Sequence, residues 1–279
     1  MYNNVMSHIL VDERKCRRDG ICVESCPVNI IELRDEKAVP TPVEGADALC
    51  ISCGHCVAVC PYGALSLDSM ASDDCPTVQT EWKLSPEQTE HFLRCRRSIR
   101  VYKEDPVEKE TLQRLIEIAR YAPSGHNAQP VEWLVVRDAG EVNRMAGMVA
   151  DWMRSVLEAS PEMGRAMLLD RIVAAWDSGK DTICRGAPHL VITHGQEKNP
   201  IVPSACTIAL AYLELAAPSL GLGACWAGYF HVAANQWPPL KEALALPEGH
   251  AMQGGMMVGR PKYRYKRLPL RKEPSVSWR

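Results

Sequence analysis

The sequence lacks the features that would assign it to a membrane, to secretion or to a nucleic acid. None of its 279 residues belongs to an apolar run of about 18 residues, the length that a membrane-spanning helix needs. Residues 1–10 lack the basic start and apolar core of a signal peptide. The formal net charge is only −2, so no excess of positive charge favours nucleic acid or anionic lipid. We therefore expect a cytoplasmic protein with neither a membrane nor a nucleic acid as partner.

Several catalytic motifs are absent as well. No Gly-x-Gly-x-x-Gly stands at a strand-to-helix turn, which argues against a separate dinucleotide-binding domain. After residue 61 the sequence shows neither a Ser/His/Asp set nor a zinc-type spacing of ligands. His194 and His231 are of the residue type that transfers protons, but the sequence identifies no partner for either.

Cysteine, by contrast, is abundant, and seven of the twelve cysteines fall in two short motifs. Residues 50–61 read Cys-x2-Cys-x2-Cys-x3-Cys-Pro. At this spacing three thiolates surround one iron–sulfur cluster, and the fourth cysteine is directed to a neighbouring cluster. Thiolates that bind iron must stay reduced, so the motif also favours a reducing compartment.

An internal repeat without a gap relates residues 8–33 to residues 42–67. The matched pairs, each 34 positions apart, are Cys16 and Cys50, Cys22 and Cys56, Cys26 and Cys60, and Pro27 and Pro61. Gly20 matches Gly54, as expected where the backbone must approach inorganic sulfide closely. Two such halves related by a pseudo-twofold axis make the bacterial two-cluster ferredoxin, which residues 8–68 resemble.

The first repeat departs from this pattern at Asp19, which stands where the second repeat has Cys53. The crossed ligation rule assigns one complete [4Fe–4S] set to Cys26, Cys50, Cys53 and Cys56. The other set is Cys16, Cys22 and Cys60, with Asp19 as a candidate fourth ligand. Because a carboxylate is a harder donor than a thiolate, it holds a cluster iron less tightly. Three interpretations stay open: an Asp-ligated [4Fe–4S] cluster, a [3Fe–4S] cluster beside a solvated Asp19, and an interconverting pair.

The remaining chain predicts a linker and a second domain. We assign residues 1–70 to a two-cluster iron–sulfur domain, 71–87 to a polar, turn-rich linker and 88–279 to a second domain. Ser85, followed by Pro86, predicts the start of a helix. Residues 138–180, rich in Met and Trp, are predicted to form two helices.

Three motifs in the second domain occur in a recognisable order. They are Arg-Arg-Ser-x-Arg at 96–100, Ala-Pro-Ser-Gly-x-Asn-x-Gln-Pro at 122–130, and Gly-Leu-Gly-Ala-Cys-Trp-Ala-Gly-Tyr-Phe at 221–230. Together they resemble the nitroreductase family of flavoproteins over about residues 88–279. The chemistry agrees, because the FMN phosphate suits forked guanidinium donors, its pyrimidine edge suits side-chain amides, and its flat ring needs accessible backbone.

The resemblance implies a set of FMN-binding residues. Those that match phosphate and ribityl contacts are Arg96, Arg97, Ser98 and Arg100. Those that match the loop meeting the flavin across a dimer interface are Pro123, Ser124, Gly125, Asn127 and Gln129. Ala227, Gly228 and Tyr229 match a segment whose backbone reaches flavin N5, and either Arg267 or Arg271 matches a closing phosphate contact.

The predicted fold class is α+β, with a ferredoxin-like two-cluster module followed by a nitroreductase-like sheet-and-helix domain. The predicted function is an FMN-dependent oxidoreductase that takes electrons through its clusters to a nitroaromatic, quinone or activated alkene. A ferredoxin-type protein or NAD(P)H would donate the electrons, and the resemblance implies a homodimer. The alternative is an electron-transfer flavoprotein that relays electrons between a redox partner and another protein.

Overall fold

The protein is described here by a computed structural model covering residues 9–35 and 37–279. Contacts divide the chain into two compact units. One unit takes in the described residues up to Lys83 together with Gly125–Ala128, and the other comprises Leu84–Ser124 and Gln129–Arg279. The division after Lys83 falls inside the segment assigned to the linker, and the domain boundaries at 70, 71, 87 and 88 stay predictions.

The first unit is built from short elements. In chain order they are β1 (Ile9–Val11), α1 (Ile21–Glu24), β2 (Ile31–Glu32), β3 (Thr41–Pro42), α2 (Ala46–Leu49), α3 (His55–Val59) and β4 (Leu65–Leu67). The repeat is visible in them, since α1 and α3 begin 34 positions apart. Gly20 and Gly54 precede these helices with φ angles of 74° and 71°, a left-handed conformation that favours glycine.

The strands of the first unit pair between the two halves of the repeat. β1 pairs with β4, with Ile9 opposite Leu67, and β2 pairs with β3, with Ile31 opposite Pro42. Each two-stranded sheet therefore takes one strand from each half, as a pseudo-twofold axis requires. Ile31 and Leu65, also 34 positions apart, are both almost fully buried in the core between the halves.

The second unit is larger and has an α+β fold. Its elements are α4 (Pro86–Cys95), α5 (Lys109–Ala119), β5 (Glu132–Val136), α6 (Ala139–Ala159), α7 (Pro161–Ala166), α8 (Leu169–Asp177), β6 (His189–Gln196), α9 (Val202–Ala216), β7 (Gly223–Trp226), α10 (Gly228–Gln236), α11 (Pro238–Leu244) and β8 (His250–Gly259). The helix start at Ser85 is confirmed, because the Ser85 hydroxyl accepts from the Gln88 amide and the Gln88 side chain accepts from the Ser85 amide.

The prediction of two helices in residues 138–180 was wrong, since this stretch forms α6, α7 and α8. Pro161 stops α6, because a proline disfavours helical geometry in the residue before it and lacks an amide donor. Leu168, with φ 59°, then separates α7 from α8. Proline marks the first break in the sequence, whereas neither glycine nor proline stands at Leu168 to mark the second.

A four-stranded sheet in the order β5-β6-β8-β7 forms the centre of the second unit, and its strand pairs are antiparallel. Alternate residues of β6 enter different cores: Leu190 and Ile192 pack with α6 and α10, whereas Val191 packs with α5 and α9. Because both faces are covered, this strand is buried from His189 to Gly195. No helix in the described ranges is long and apolar enough to cross a membrane.

Candidate functional site

One cavity of the first unit is lined by the four cysteines that the crossed rule assigns to a complete cluster: Cys26, Cys50, Cys53 and Cys56. Gly54 lies in the same wall and could not be replaced freely, since an added Cβ would lie 2.7 Å from Met70 Sδ at a φ of 71°. The structure thus brings these four thiols together, while their ligation of iron stays a prediction.

A second cavity in this unit is lined by the other predicted set: Cys16, Asp19, Cys22 and Cys60. The Asp19 carboxylate accepts a long hydrogen bond of 3.4 Å from the Ile21 amide, at the exposed start of α1. Arg17 borders the same cavity and stacks over the Tyr62 ring, 5.9 Å from its centroid. Asp19 therefore lies beside three thiols and has an alternative partner in the backbone.

The chemical state of these thiols fits metal binding. All twelve cysteines lie within the described residues, and none of them forms a disulfide. Burial raises the pKa of Cys22, and it raises the pKa of Cys56 to about 11. The Ser52 amide donates to Cys50 Sγ at 3.4 Å and the Ala64 amide to Cys60 Sγ at 3.3 Å. Soft buried donors supported by backbone amides are suited to an iron–sulfur cluster, whose binding would displace the thiol protons.

The second unit contains a cavity of about 790 Å³ with a strongly basic wall. Its basic side chains include Arg96, Arg97, Lys103, Arg260, Lys266 and Arg267. The guanidinium groups come from two distant stretches, the segment after α4 and the chain that follows β8. Forked donors collected in one cavity are suited to a phosphate group.

An ion pair fixes one of these groups in place. Arg96 Nη1 donates to Glu214 Oε1 at 2.8 Å, and Glu214, on α9, is only 7% exposed. Arg97 Nε donates to the Arg96 carbonyl at 2.7 Å. Because the buried Glu214 carboxylate offsets part of the Arg96 charge, Arg97 and Arg267 are the stronger candidates for an incoming anion.

The other predicted phosphate residues lie elsewhere. Ser98 Oγ accepts from Arg96 Nη1 at 3.4 Å, but Ser98 is not part of the wall of the basic cavity. Arg100 and Arg271 are exposed and are also outside that wall. Of the two candidates for the closing contact, Arg267 is the one that lines the cavity. The binding roles of all these residues stay predictions.

The loop 122–130 is placed apart from the basic cavity. Pro123, Ser124 and Gln129 line a different cavity of about 120 Å³. The backbone N–H of Gln129 donates to Ser124 Oγ at 2.8 Å. Gln129 has a φ of 45°, which is unusual for a residue with a side chain. Gly125, in the same loop, belongs by its contacts to the first unit.

Asn127 also belongs to the first unit by its contacts. Its Nδ2 donates to the carbonyls of Ile51 and Ser52, at 3.2 and 3.0 Å. These two residues lie between Cys50 and Cys53 in the sequence. Asn127 therefore holds the backbone of a predicted cluster-binding loop, a role that the family resemblance did not suggest.

The segment 227–229 joins β7 to α10. Ala227 is buried and its amide donates to the Gly255 carbonyl at 2.9 Å, which ties the segment to β8. An added Cβ at Gly228 would meet no atom within 4 Å, so its backbone adjoins open space. The Tyr229 hydroxyl donates to the Met167 carbonyl at 3.2 Å. The accessible backbone at Gly228 is compatible with the close approach of a flat ring.

Two features of the second unit were not predicted from the sequence. Glu214 is 118 positions from Arg96, and its signal was a lone acidic residue within the otherwise apolar helix α9. His194 Nδ1 lies 3.0 Å from His250 Nδ1, a partner that the sequence did not identify.

Two family models match the chain. Residues 93–260 match the nitroreductase family, and residues 14–64 match the 4Fe-4S dicluster domain. A ferredoxin of Hydrogenibacillus schlegelii, named ferredoxin 7Fe, is 28% identical over 89 residues, which cover 32% of this chain and 99% of that protein. The FMN reductase [NAD(P)H] of Bacillus subtilis is 28% identical over 184 residues, which cover 65% of this chain and 69% of that protein.

Among solved structures, the nitroreductase with bound FMN from Desulfitobacterium hafniense shares the fold with a TM-score of 0.57. It is 22% identical, and the match covers 70% of this chain and 99% of that one. The likeness agrees with the α+β architecture of the second unit, and the dicluster match agrees with the ferredoxin-like first unit. The family match spans more than half of the chain, and the chain is therefore a member of the nitroreductase family of oxidoreductases that also carries a 4Fe-4S dicluster domain.

Proposed function

We propose that this chain is an FMN-dependent oxidoreductase that receives electrons through two iron–sulfur clusters and reduces a small organic acceptor. The observation that carries the proposal is that one chain combines two cysteine-lined cavities with a nitroreductase-family domain containing a basic cavity. The name of the Bacillus subtilis relative and the FMN in the Desulfitobacterium hafniense structure support FMN as the flavin.

The basic cavity would hold the FMN phosphate. Arg97 and Arg267 would bind it through charge-assisted hydrogen bonds, and Arg96 would keep its orientation through Glu214. The open space beside Gly228 would admit the ring. FMN, when bound, supplies both single-electron and hydride chemistry, and the protein contributes binding, orientation and electrostatics.

The cysteine sets would hold one cluster each. Cys26, Cys50, Cys53 and Cys56 offer four thiolates for a [4Fe–4S] cluster. At the other site three thiolates and the Asp19 carboxylate favour a three-iron cluster or a four-iron cluster with one weakly held iron. The name of the related ferredoxin 7Fe supports the three-iron form. The need to keep the seven cysteine ligands reduced supports the cytoplasm as the location.

The function is tested by anaerobic steady-state assays. The protein, purified with iron and FMN, is offered reduced ferredoxin or NAD(P)H as donor and a quinone, a nitroaromatic or an activated alkene as acceptor. With reduced ferredoxin as donor, we expect the protein to reduce the acceptor. We expect this activity to be lost when the protein is stripped of iron but still carries FMN. Equal rates with and without iron, from either donor, would show that the clusters do not feed the reaction.

We expect a homodimer in solution. In a single chain Pro123, Ser124 and Gln129 line a cavity different from the one that Arg97 lines, so a second copy would be needed to bring both sets to one flavin, as the family resemblance implies. Light scattering should give about twice the chain mass of 31.0 kDa. A species of single-chain mass that retains one FMN per chain contradicts this prediction.

The site with Asp19 should lose iron more readily than the site with four cysteines. A carboxylate competes poorly for a soft cluster iron, so brief oxidation should produce a three-iron electron paramagnetic resonance signal in the wild-type protein. The variant Asp19→Cys should show less of this signal. Asp12→Asn provides a control, since Asp12 lies on the same stretch and its carboxylate accepts from the Arg14 amide. Equal signals in wild type and Asp19→Cys would mean that Asp19 is not the weak ligand.

A further inference from the structure

Three polar side chains meet on one face of the sheet in the second unit. Glu132 of β5 lies directly opposite His194 of β6. Met252 of β8 lies opposite His194, and His250, two residues earlier, therefore points to the same face. This face otherwise packs an apolar core through Leu190 and Ile192, so a row of two histidines and a glutamate at its end is a marked change of chemistry.

The ligand atoms of these residues are close together. His194 Nδ1 is 3.0 Å from His250 Nδ1, and His250 Nε2 is 3.8 Å from Glu132 Oε1. Each of the three residues offers one ligand atom, and these three atoms all lie within 4.8 Å of one another. His194 is 5% exposed and the His250 side chain 6%, whereas the Glu132 side chain is 56% exposed. The cluster is thus anchored by two buried imidazoles and reaches solvent through its carboxylate.

We propose that Glu132, His194 and His250 form a binding site for a divalent transition-metal ion of the zinc class. Two imidazoles and one carboxylate are a donor set that Zn²⁺ uses in proteins, with water as the fourth ligand. Two nitrogens bound to tetrahedral Zn²⁺ at about 2.0–2.1 Å lie about 3.4 Å apart, so the histidines need to separate by only a few tenths of an ångström. Glu132 can rotate towards them, since more than half of its side chain is exposed.

The backbone holds the two imidazoles in place before any ion arrives. The pairing of β6 with β8 shifts between Thr193 and His194, where β8 has one extra residue, and this irregularity turns His250 to the same face as His194. The Asn235 amide group donates to the Met252 carbonyl at 2.9 Å and steadies β8 beside the cluster.

The test measures Zn²⁺ binding to the protein with its iron content intact. Protein dialysed against a chelator, and checked for unchanged iron, is titrated with ZnCl₂ by calorimetry. Wild type is compared with His250→Gln and with Glu132→Gln, a substitution of the same size at a side chain that is more than half exposed. His91→Gln is the matched control. His91 Nε2 lies 3.3 Å from Cys95 Sγ on the exposed helix α4, so these two residues are an alternative site for adventitious zinc. MgCl₂ replaces ZnCl₂ in a parallel titration.

We expect one tight Zn²⁺ per chain in wild type and in His91→Gln, and no comparable binding of Mg²⁺, which prefers oxygen ligands. His250→Gln should weaken Zn²⁺ binding by at least about 100-fold, and Glu132→Gln by at least about 10-fold, since even outer partners of metal ligands contribute that much. X-ray absorption should show only nitrogen and oxygen neighbours at about 2.0–2.1 Å.

Three results would overturn the proposal. Wild type that binds no Zn²⁺ would mean that the histidines only share a hydrogen bond. Equal affinities in wild type and His250→Gln would place the ion elsewhere. Sulfur neighbours at about 2.3 Å would assign the ion to cysteines.

Discussion

The double variant Arg97→Ala/Arg267→Ala should lose FMN while it retains its iron. Both guanidinium groups line the basic cavity, and each charge-assisted hydrogen bond to a phosphate contributes about 1.5–3 kcal/mol. Loss of both removes about 3–6 kcal/mol, which raises the dissociation constant of FMN by more than about 100-fold. The cysteine-lined cavities belong to the first unit and should keep their metal.

Arg97 and Arg267 are better targets than Arg96. Truncation of Arg96 would also leave the buried Glu214 carboxylate without its partner, at a cost of about 3 kcal/mol to folding. A loss of flavin from Arg96→Ala would therefore mix two causes. Arg97 and Arg267 avoid this difficulty because their guanidinium groups are not the partners of that carboxylate.

The measurement is the ratio of FMN to protein after gel filtration, followed by a titration of the apoprotein with FMN. Arg271→Ala is the matched control, since Arg271 is exposed, lies in the same C-terminal stretch and is outside the cavity wall. It should bind FMN as wild type does. Unchanged affinity in the double variant, or loss of flavin from Arg271→Ala alone, would show that the phosphate lies elsewhere.

The sequence predicted the ferredoxin-like fold of the first unit, for a physical reason. Cysteine spacing, the prolines and the repeat are local patterns, and the cysteines of each half lie within a few residues of one another along the chain. The pairing of β1 with β4 and β2 with β3 follows from the pseudo-twofold relation of the halves. Local pattern and fold agree there, except for the contact of Asn127 with Ile51 and Ser52, which comes from a distant part of the chain.

In the second unit the sequence predicted the fold class and the start of α4, but not the partners across the sheet. The pair of Arg96 and Glu214 joins residues 118 positions apart, and His194 meets His250 only because β6 pairs with β8. The first pair depends on how distant segments pack and the second on strand register, and no local motif encodes either. The bonds from Asn127 to Ile51 and Ser52 are of the same kind, because they join a loop to a distant stretch of the chain.

In each motif one cysteine follows the helix, and this cysteine should bind the cluster of the opposite motif. Cys26 follows α1 in the first repeat, yet it lines a cavity with Cys50, Cys53 and Cys56. Cys60 follows α3 in the second repeat and lines the cavity of Cys16 and Cys22. Cys26→Ala should therefore remove the cluster of the second motif, and Cys60→Ala the cluster at Asp19, because each cluster then keeps only its other ligands.

The iron content and the electron paramagnetic resonance spectra of the two variants distinguish crossed from local ligation. Cys26→Ala should lose about four iron atoms per chain and the signal of the reduced four-iron cluster, while the oxidation-induced three-iron signal persists. Cys60→Ala should show the reverse. Cys75→Ala is the control, because Cys75 is a partly exposed thiol whose Sγ donates to the Ala71 carbonyl and which lines neither cavity. If Cys26→Ala instead removes the three-iron signal and spares the other cluster, each motif binds its own cluster and the crossed assignment is wrong.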